Sequence, residues 1–160
     1  IKIENNEITL LNDYERSPWI SRIFQNPLSG TASDLSILEN FRLASLRSRK
    51  KLFSIGTNSS FKKQVKQMIE RLGMGLENKT DVKMGSLSGG QRQALTLLMA
   101  VMDDSKILLL DEPTAALDPK SSEKIMELSN QIINEFKLTA ITKAALEAID
   151  NANASTKQKP

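Results

Sequence analysis

Residues Ile107-Leu108-Leu109-Leu110 form a continuous apolar run that ends in Asp111-Glu112-Pro113. With no polar residue to alternate, a run of this length reads as a parallel strand covered on both faces. It follows closely on Ala94 to Met102, a stretch apolar nearly all round that as a helix should be largely buried. A buried helix feeding a buried strand means layers, with helices packed on a parallel sheet.

The rest of the chain supplies the other layers. Asp118-Pro119 opens a further helix, with a capping carboxylate followed by proline at the first helical position. That helix carries Ile125, Leu128, Ile132 and Phe136 and leads to a short strand from Leu138 to Thr142. Upstream, Ile20 to Phe24 reads as a strand closed by Asn26-Pro27. Ile1 to Ile3 and Ile8 to Leu10 read as a hairpin-like opening. Two helices lie between. The first is capped by Ser33 or Asp34 and carries Leu35, Leu38, Phe41 and Leu46. The second runs from Ser59 to Leu72, with Phe61, Val65, Met68, Ile69 and Leu72 on one stripe and Gly73 as its stop. Asn78 to Gly85 reads as a polar loop, and the polar end, 151–160, as a disordered tail.

Composition narrows the chemistry. Aromatic residues are 4% of the 160, so the core must rest on Leu, Ile, Val, Ala and the six methionines. The absence of cysteine excludes a disulfide framework and a thiolate metal site, and the absence of histidine removes the commonest catalytic base. No apolar run approaches the roughly 18 residues that span a bilayer, so a cytoplasmic setting is expected. The start at Ile1 suggests a processed, truncated or excised segment. The formal charge of +3 does not by itself point to nucleic acid. The cluster Arg47-Ser-Arg-Lys-Lys51 lacks interleaved aromatics, and a solvated helix end is its favoured reading over a phosphate-neutralising patch.

Two places carry candidate chemistry. Asp111 and Glu112 stand where a buried strand emerges at its carboxyl end, which is where open α/β sheets bind ligands. Asp111 could hold Mg²⁺ and Glu112 could orient or deprotonate a water; a plain polar loop is the alternative. In Gly85-Ser-Leu-Ser88-Gly89-Gly90-Gln91-Arg-Gln-Ala-Leu95, two glycines stand at the start of the apolar helix. A helix beginning at Ser88 offers free N–H groups and the positive end of its dipole, and glycines let a phosphate come close. The alternative is a glycine-rich turn into a core helix.

Taken in order, Leu87-Ser-Gly-Gly-Gln-Arg-Gln93, Ile107 to Pro113 and Ala116-Leu-Asp-Pro119 resemble the signature motif, Walker B strand and D-loop of the ATP-binding cassette (ABC) ATPases. Arg22-Ile-Phe-Gln25-Asn-Pro27 looks like that family's Q-loop, and Asp34 to Asn40 like the start of its helical subdomain. The resemblance implies a P-loop-NTPase-like α/β fold, a parallel sheet flanked by helices, with 1–29 and 86–150 as the core and 30–85 as an inserted helical subdomain. It implies a sheet running 20–24, 107–110, 138–142 with the last strand at an edge. It further implies ATP and Mg²⁺ as cofactors. Gln25 would contact Mg²⁺ and the attacking water, Asp111 would belong to the Mg²⁺ shell, and Glu112 would be the general base. Ser88, Gly89, Gly90 and Gln91 would serve the nucleotide of a second subunit in a head-to-tail dimer, and Asp118 would bridge the two. A solvated loop residue for Gln25 and a helix cap for Asp118 are the plainer alternatives. The implied role is the energy-coupling subunit of a bacterial transporter of importer type, attached to a transmembrane permease at the cytoplasmic face, with no nucleic-acid partner expected.

The sequence departs from the family's pattern twice. Gly-x-x-x-x-Gly-Lys-Ser/Thr, the phosphate-cradling loop, occurs nowhere in it. Lys143, a cation that accepts no hydrogen bond, follows Thr142 where the family has a switch histidine. With these departures a second reading competes with the first, a non-enzymatic remnant that keeps dimer and permease contacts but cannot bind ATP alone. A third, an ABC ATPase of DNA repair or chromosome structure, is disfavoured by the lack of heptads and cysteines.

Overall fold

The structure, a computed structural model, describes residues 1–46, 57–102 and 105–145. The basic cluster at 47–51 and the polar end at 151–160 lie outside the described residues. A parallel sheet holds the strands β3 (Ile20–Ile23), β4 (Ile107–Leu110) and β5 (Thr139–Thr142) in the order β3-β4-β5. That is the order and the edge position expected. Register pairs Arg22 with Leu109 and Leu109 with Ile141, so these side chains share one face of the sheet. Ser21, Ile23, Leu108 and Leu110 point to the other face and are buried.

β4 corrects one expectation. Leu108 and Leu110 are buried, but Ile107 and Leu109 remain half-exposed. The helices that follow and precede β4 pack on the same side, so among the described residues the second face is open. An uninterrupted apolar run therefore does not by itself show that both faces are covered.

The covering helices are α4 (Gly89–Ala100) and α5 (Pro119–Glu135). Helix α4 is buried over Gly90 and all of 92–100, as its all-round apolar sequence requires. Full burial of each of Leu95 and Leu97 contributes about 2 kcal/mol. Its polar members find partners: Thr96 Oγ1 donates to the Arg92 carbonyl at 2.9 Å, one turn back. Where α4 ends, the Ala100 carbonyl accepts from the Ser21 hydroxyl of β3 at 2.7 Å. Asp118 caps α5 with Pro119 at the first helical position, and the Asp118 carboxylate accepts from the Ser121 N–H at 3.0 Å.

The remaining helices gather around α4. α2 (Ile37–Ala44) is capped by Ser36, not by Ser33 or Asp34. Ser36 and Glu39 form a reciprocal capping box. The buried Asn40 side chain also holds the Ala32 N–H and the carbonyls of Ala32, Leu35 and Ser36, which keeps 32–35 out of the helix. Leu35 and Leu46 thus flank the helix, and Ile37, Leu38 and Phe41 form its buried face. The first α2 N–H groups, at Ile37 and Leu38, donate to the carbonyls of Val82 and Thr80, so the polar loop before α4 completes the helix end. α3 (Ser59–Glu70), capped by Asn58, buries Phe61, Val65 and Ile69. Gly73 takes a left-handed φ of 58° just beyond it, which makes it the stop that was expected. Phe41, Val65, Ile69, Leu95, Leu108 and Ile125 belong to one continuous apolar core.

The amino-terminal end forms a tighter hairpin than the pattern suggested. β1 (Lys2–Ile3) pairs antiparallel with β2 (Asn6–Glu7), so the second strand precedes Ile8 to Leu10. The chain turns at Glu4-Asn5, with Glu4 at φ 53°, and Ile3 and Ile8 are buried. A short α1 (Asp13–Arg16), started by an Asn12–Glu15 capping box, follows. The sequence pattern had not pointed to it.

Among the described residues β5 is held on one side only, and Thr139, Ala140 and Thr142 are exposed. Unpaired N–H and C=O groups along such an edge open readily. Amide exchange is expected to be faster at 139–142 than at 107–110 in a dilute monomer, and equal strong protection of both strands would contradict the edge position.

Candidate functional site

The carboxyl ends of the three parallel strands bring four side chains together. Gln25 follows β3, Asp111 and Glu112 follow β4, and Lys143 follows β5. The Asp111 N–H donates to the Ile23 carbonyl at 3.0 Å, which extends the ladder by one residue and sets the turn. Glu112 then takes a left-handed φ of 47°. For a residue with a β-carbon that conformation costs about 1–2 kcal/mol, and strain of this kind gathers at functional positions.

The side chains converge. Gln25 Nε2 reaches Glu112 Oε2 at 3.5 Å, the long limit of a hydrogen bond. Lys143 Nζ lies 4.0 Å from both Asp111 Oδ1 and Glu112 Oε1. Arg22 pairs with Asp111 at 2.6 Å while its guanidinium lies 4.8 Å from the centre of the Phe24 ring. Asp111, Lys143, Arg22, Leu109 and Ile141 line an open depression of about 370 Å³ on the uncovered face of the sheet. Sequence reasoning gave Lys143 no partner and Arg22 no role. Nothing in the local pattern could have found these pairs, because they join residues 31 to 89 positions apart in the chain.

The second group forms at the start of α4. Ser88 Oγ accepts from the Gln91 N–H at 3.2 Å, and Gln91 Oε1 accepts from the Ser88 N–H at 3.2 Å. This capping box leaves the N–H groups of Gly89 and Gly90 without a partner among the described residues. Ser88, Gly90 and Gln91 line a cleft with Lys120, Ser121 and Lys124. None of Gln25, Asp111 or Glu112 lines it. Asp118 sits next to this group through Ser121, and the Ser121 side-chain and backbone hydrogen bonds hold its carboxyl below the ordinary range. Cap stability from Asp118 is therefore present above the ordinary carboxylate range and is lost as pH falls through its lowered value.

The glycines have a packing reason that the sequence did not disclose. A β-carbon at Gly90 would lie 2.9 Å from Ser121 Oγ and 3.0 Å from Ser121 Cβ, because α4 and α5 approach closely there. A second feature it did not disclose is Arg92. Its buried guanidinium donates to the carbonyls of Met84, Gly85 and Leu87, binding the loop before α4 to the helix.

This ordered set of motifs on a parallel sheet is the layout of an ATP-binding cassette. The ABC transporter family profile matches residues 1–115, and the chain belongs to that family. A tyrosine transport ATP-binding protein of Clostridioides difficile is 38% identical over 145 residues, which are 88% of this chain and 56% of that protein. The phosphate import ATP-binding protein PstB 2 of Listeria monocytogenes is 34% identical over 144 residues, 89% of this chain and 49% of that protein. Among solved structures, the dimeric post-hydrolysis state of the ATP-binding cassette MJ0796, bound to ADP and Pi, is similar. It superposes with a TM-score of 0.67 at 28% identity, covering 88% of this chain and 60% of that one. The chain spans about half the length of the curated relatives it matches. The P-loop-NTPase-like fold expected from the sequence is thus the fold observed.

Gly90→Ala is expected to lower stability by about 1–2 kcal/mol, as overpacking does, despite alanine's better helix propensity. Ser121→Gly in the same chain should recover most of the loss, measured by urea denaturation. A stabilised Gly90→Ala variant would show that α4 and α5 do not need the glycine.

Proposed function

We propose that the intact protein is the ATP-binding, ATP-hydrolysing subunit of a bacterial ABC transporter of importer type. The observation that carries this reading is the convergence of Gln25, Asp111 and Glu112 at the carboxyl ends of parallel strands in a chain of this family. Glu112 is the general base that takes a proton from the attacking water, and Gln25, whose Nε2 lies 3.5 Å from Glu112 Oε2, orients that water. Asp111 and Gln25 would hold Mg²⁺ together with phosphate and water. Their oxygens are the hard donors Mg²⁺ favours, and among the described residues no cluster of three or more acidic, Cys or His side chains offers a cage of its own. When bound, Mg²⁺ supplies charge neutralisation at the transferred phosphoryl group.

The cleft lined by Ser88, Gly90 and Gln91, with Gly89 beside them in the first turn of α4, is apart from that group. This supports a head-to-tail pair of subunits in which the α4 N-terminus of one receives the terminal phosphate held by the other, with Asp118 at the junction. Relatives named for transport and import support a permease partner and a place at the cytoplasmic face of the membrane. No helix among the described residues is long and apolar enough to cross a membrane. An open depression of about 430 Å³, lined in part by Phe24, Gly30, Asn40, Leu43 and Thr96, is the permease docking place in this reading. The division into 1–29 plus 86–150 and an inserted 30–85 is proposed with it, since α2 and α3 meet the rest of the molecule chiefly at α4.

The non-enzymatic reading draws on one observation, the Lys143 ammonium between the two carboxylates. With no phosphate-binding loop in its sequence, this chain alone should bind ATP weakly and hydrolyse it negligibly.

In the intact protein, Glu112→Gln is expected to cut turnover by at least about a hundredfold while ATP binding persists. Unchanged turnover would remove Glu112 from the role of base. Ser88→Arg places bulk and charge at the helix N-terminus and should abolish ATP-dependent dimerisation of the Glu112→Gln protein, followed by light scattering. Normal dimerisation would rule out the phosphate role of α4.

A further inference from the structure

Gln93 is fully buried in α4. Its Nε2 donates to the Phe24 carbonyl at 3.3 Å. Its Oε1 has no partner among the described residues. The orientation follows from chemistry, because a backbone carbonyl only accepts and must face the amide nitrogen. A buried carboxamide oxygen without a donor costs stability, and an apolar side chain of similar volume fills the same space without that cost. Packing alone therefore gives no reason for glutamine here, and a buried group left unsatisfied needs another explanation.

What Gln93 holds supplies that explanation. The Phe24 carbonyl belongs to the peptide that leads into Gln25, and Gln25 is the residue that reaches Glu112. Beyond this peptide the chain enters a turn in which the Leu28 N–H donates to Asn26 Oδ1 and the Ser29 N–H to the Asn26 carbonyl. Gln93 stands little more than one helical turn beyond Ser88, the residue that caps the same helix. One hydrogen bond thus joins the helix that presents Ser88 to the backbone that aims Gln25.

We propose that Gln93 is a positioning residue, holding the Phe24–Gln25 backbone on α4 so that Gln25 is set against Glu112. It also ties the Ser88 end of α4 mechanically to the hydrolytic end of the sheet. This rests on the reading of Gln25 and Glu112 as the hydrolytic pair, and the test separates the two.

Gln93→Met keeps the volume and removes both the donor and the unpartnered oxygen. The variant should melt at the same temperature or higher, while amide exchange at Leu28 and Ser29 accelerates and that of 94–100 does not. In the intact protein kcat for ATP should fall on the order of ten- to a hundredfold with KM little changed. The same substitution in a Gln25→Ala background should have no further effect, the non-additivity expected of a residue acting through another. Unchanged exchange at Leu28 and Ser29 overturns the tether. Additive losses with Gln25→Ala, or a variant that loses its fold, show Gln93 to be a core residue only and overturn the proposal. Glu112→Gln is the separate control. If it leaves turnover intact, the hydrolytic reading fails, and the exchange measurement still decides whether Gln93 holds the turn.

Discussion

Helix α4 has no solvent face beyond its first turn. Gly90 and all of 92–100 are buried, so the helix must be contacted on every side at once. The sheet lies on one side, α5 on another, and α2 with α3 on a third. The core is continuous because these contacts meet on one rod, and moving α4 would disturb each of them. Interiors packed at crystal-like density transmit such displacements rather than absorb them.

The same helix links the two groups of candidate functional side chains. Its first turn carries Ser88, Gly89 and Gly90, and a turn later Gln93 grips the peptide before Gln25. Arg92, between them, fastens the loop from Met84 to Leu87 onto the helix with three charge-assisted hydrogen bonds. Val82 and Thr80 of that neighbouring loop complete the start of α2. Polar side chains in an apolar helix thus serve as its connections to loops, which have backbone groups to be satisfied. That division of labour accounts for Arg92 and Gln93 standing in a run otherwise made of Leu, Met and Ala, while Thr96 bonds back to its own helix at the Arg92 carbonyl.

At the sheet end the balance is electrostatic. Two carboxylates, Asp111 and Glu112, face two cations, Arg22 and Lys143, at distances from 2.6 to 4.0 Å. All four are partly exposed to water, so each pair contributes modestly to stability. Their importance lies in position: parallel strands end at the same level, and whatever follows each strand is delivered to one place.

The elements that were legible in the sequence are those governed by short-range rules. Asp118-Pro119 had to begin a helix, Gly73 had to end one, and the Ala94 to Met102 run had to be buried, because caps, left-handed glycines and periodicity act within a few residues. The start of α2 was misplaced by two or three residues because Asn40 holds the preceding segment from inside the fold. The ordered motifs also made Gln25, Asp111, Glu112, Ser88 and Asp118 nameable in advance. Tertiary structure alone decided that among the described residues only one face of β4 is covered, that Gly90 lies against Ser121, that Lys143 meets both carboxylates, and that Gln93 holds the Phe24 carbonyl. Each of these depends on groups brought together from distant parts of the chain, and no local pattern of residues encodes a distance between them.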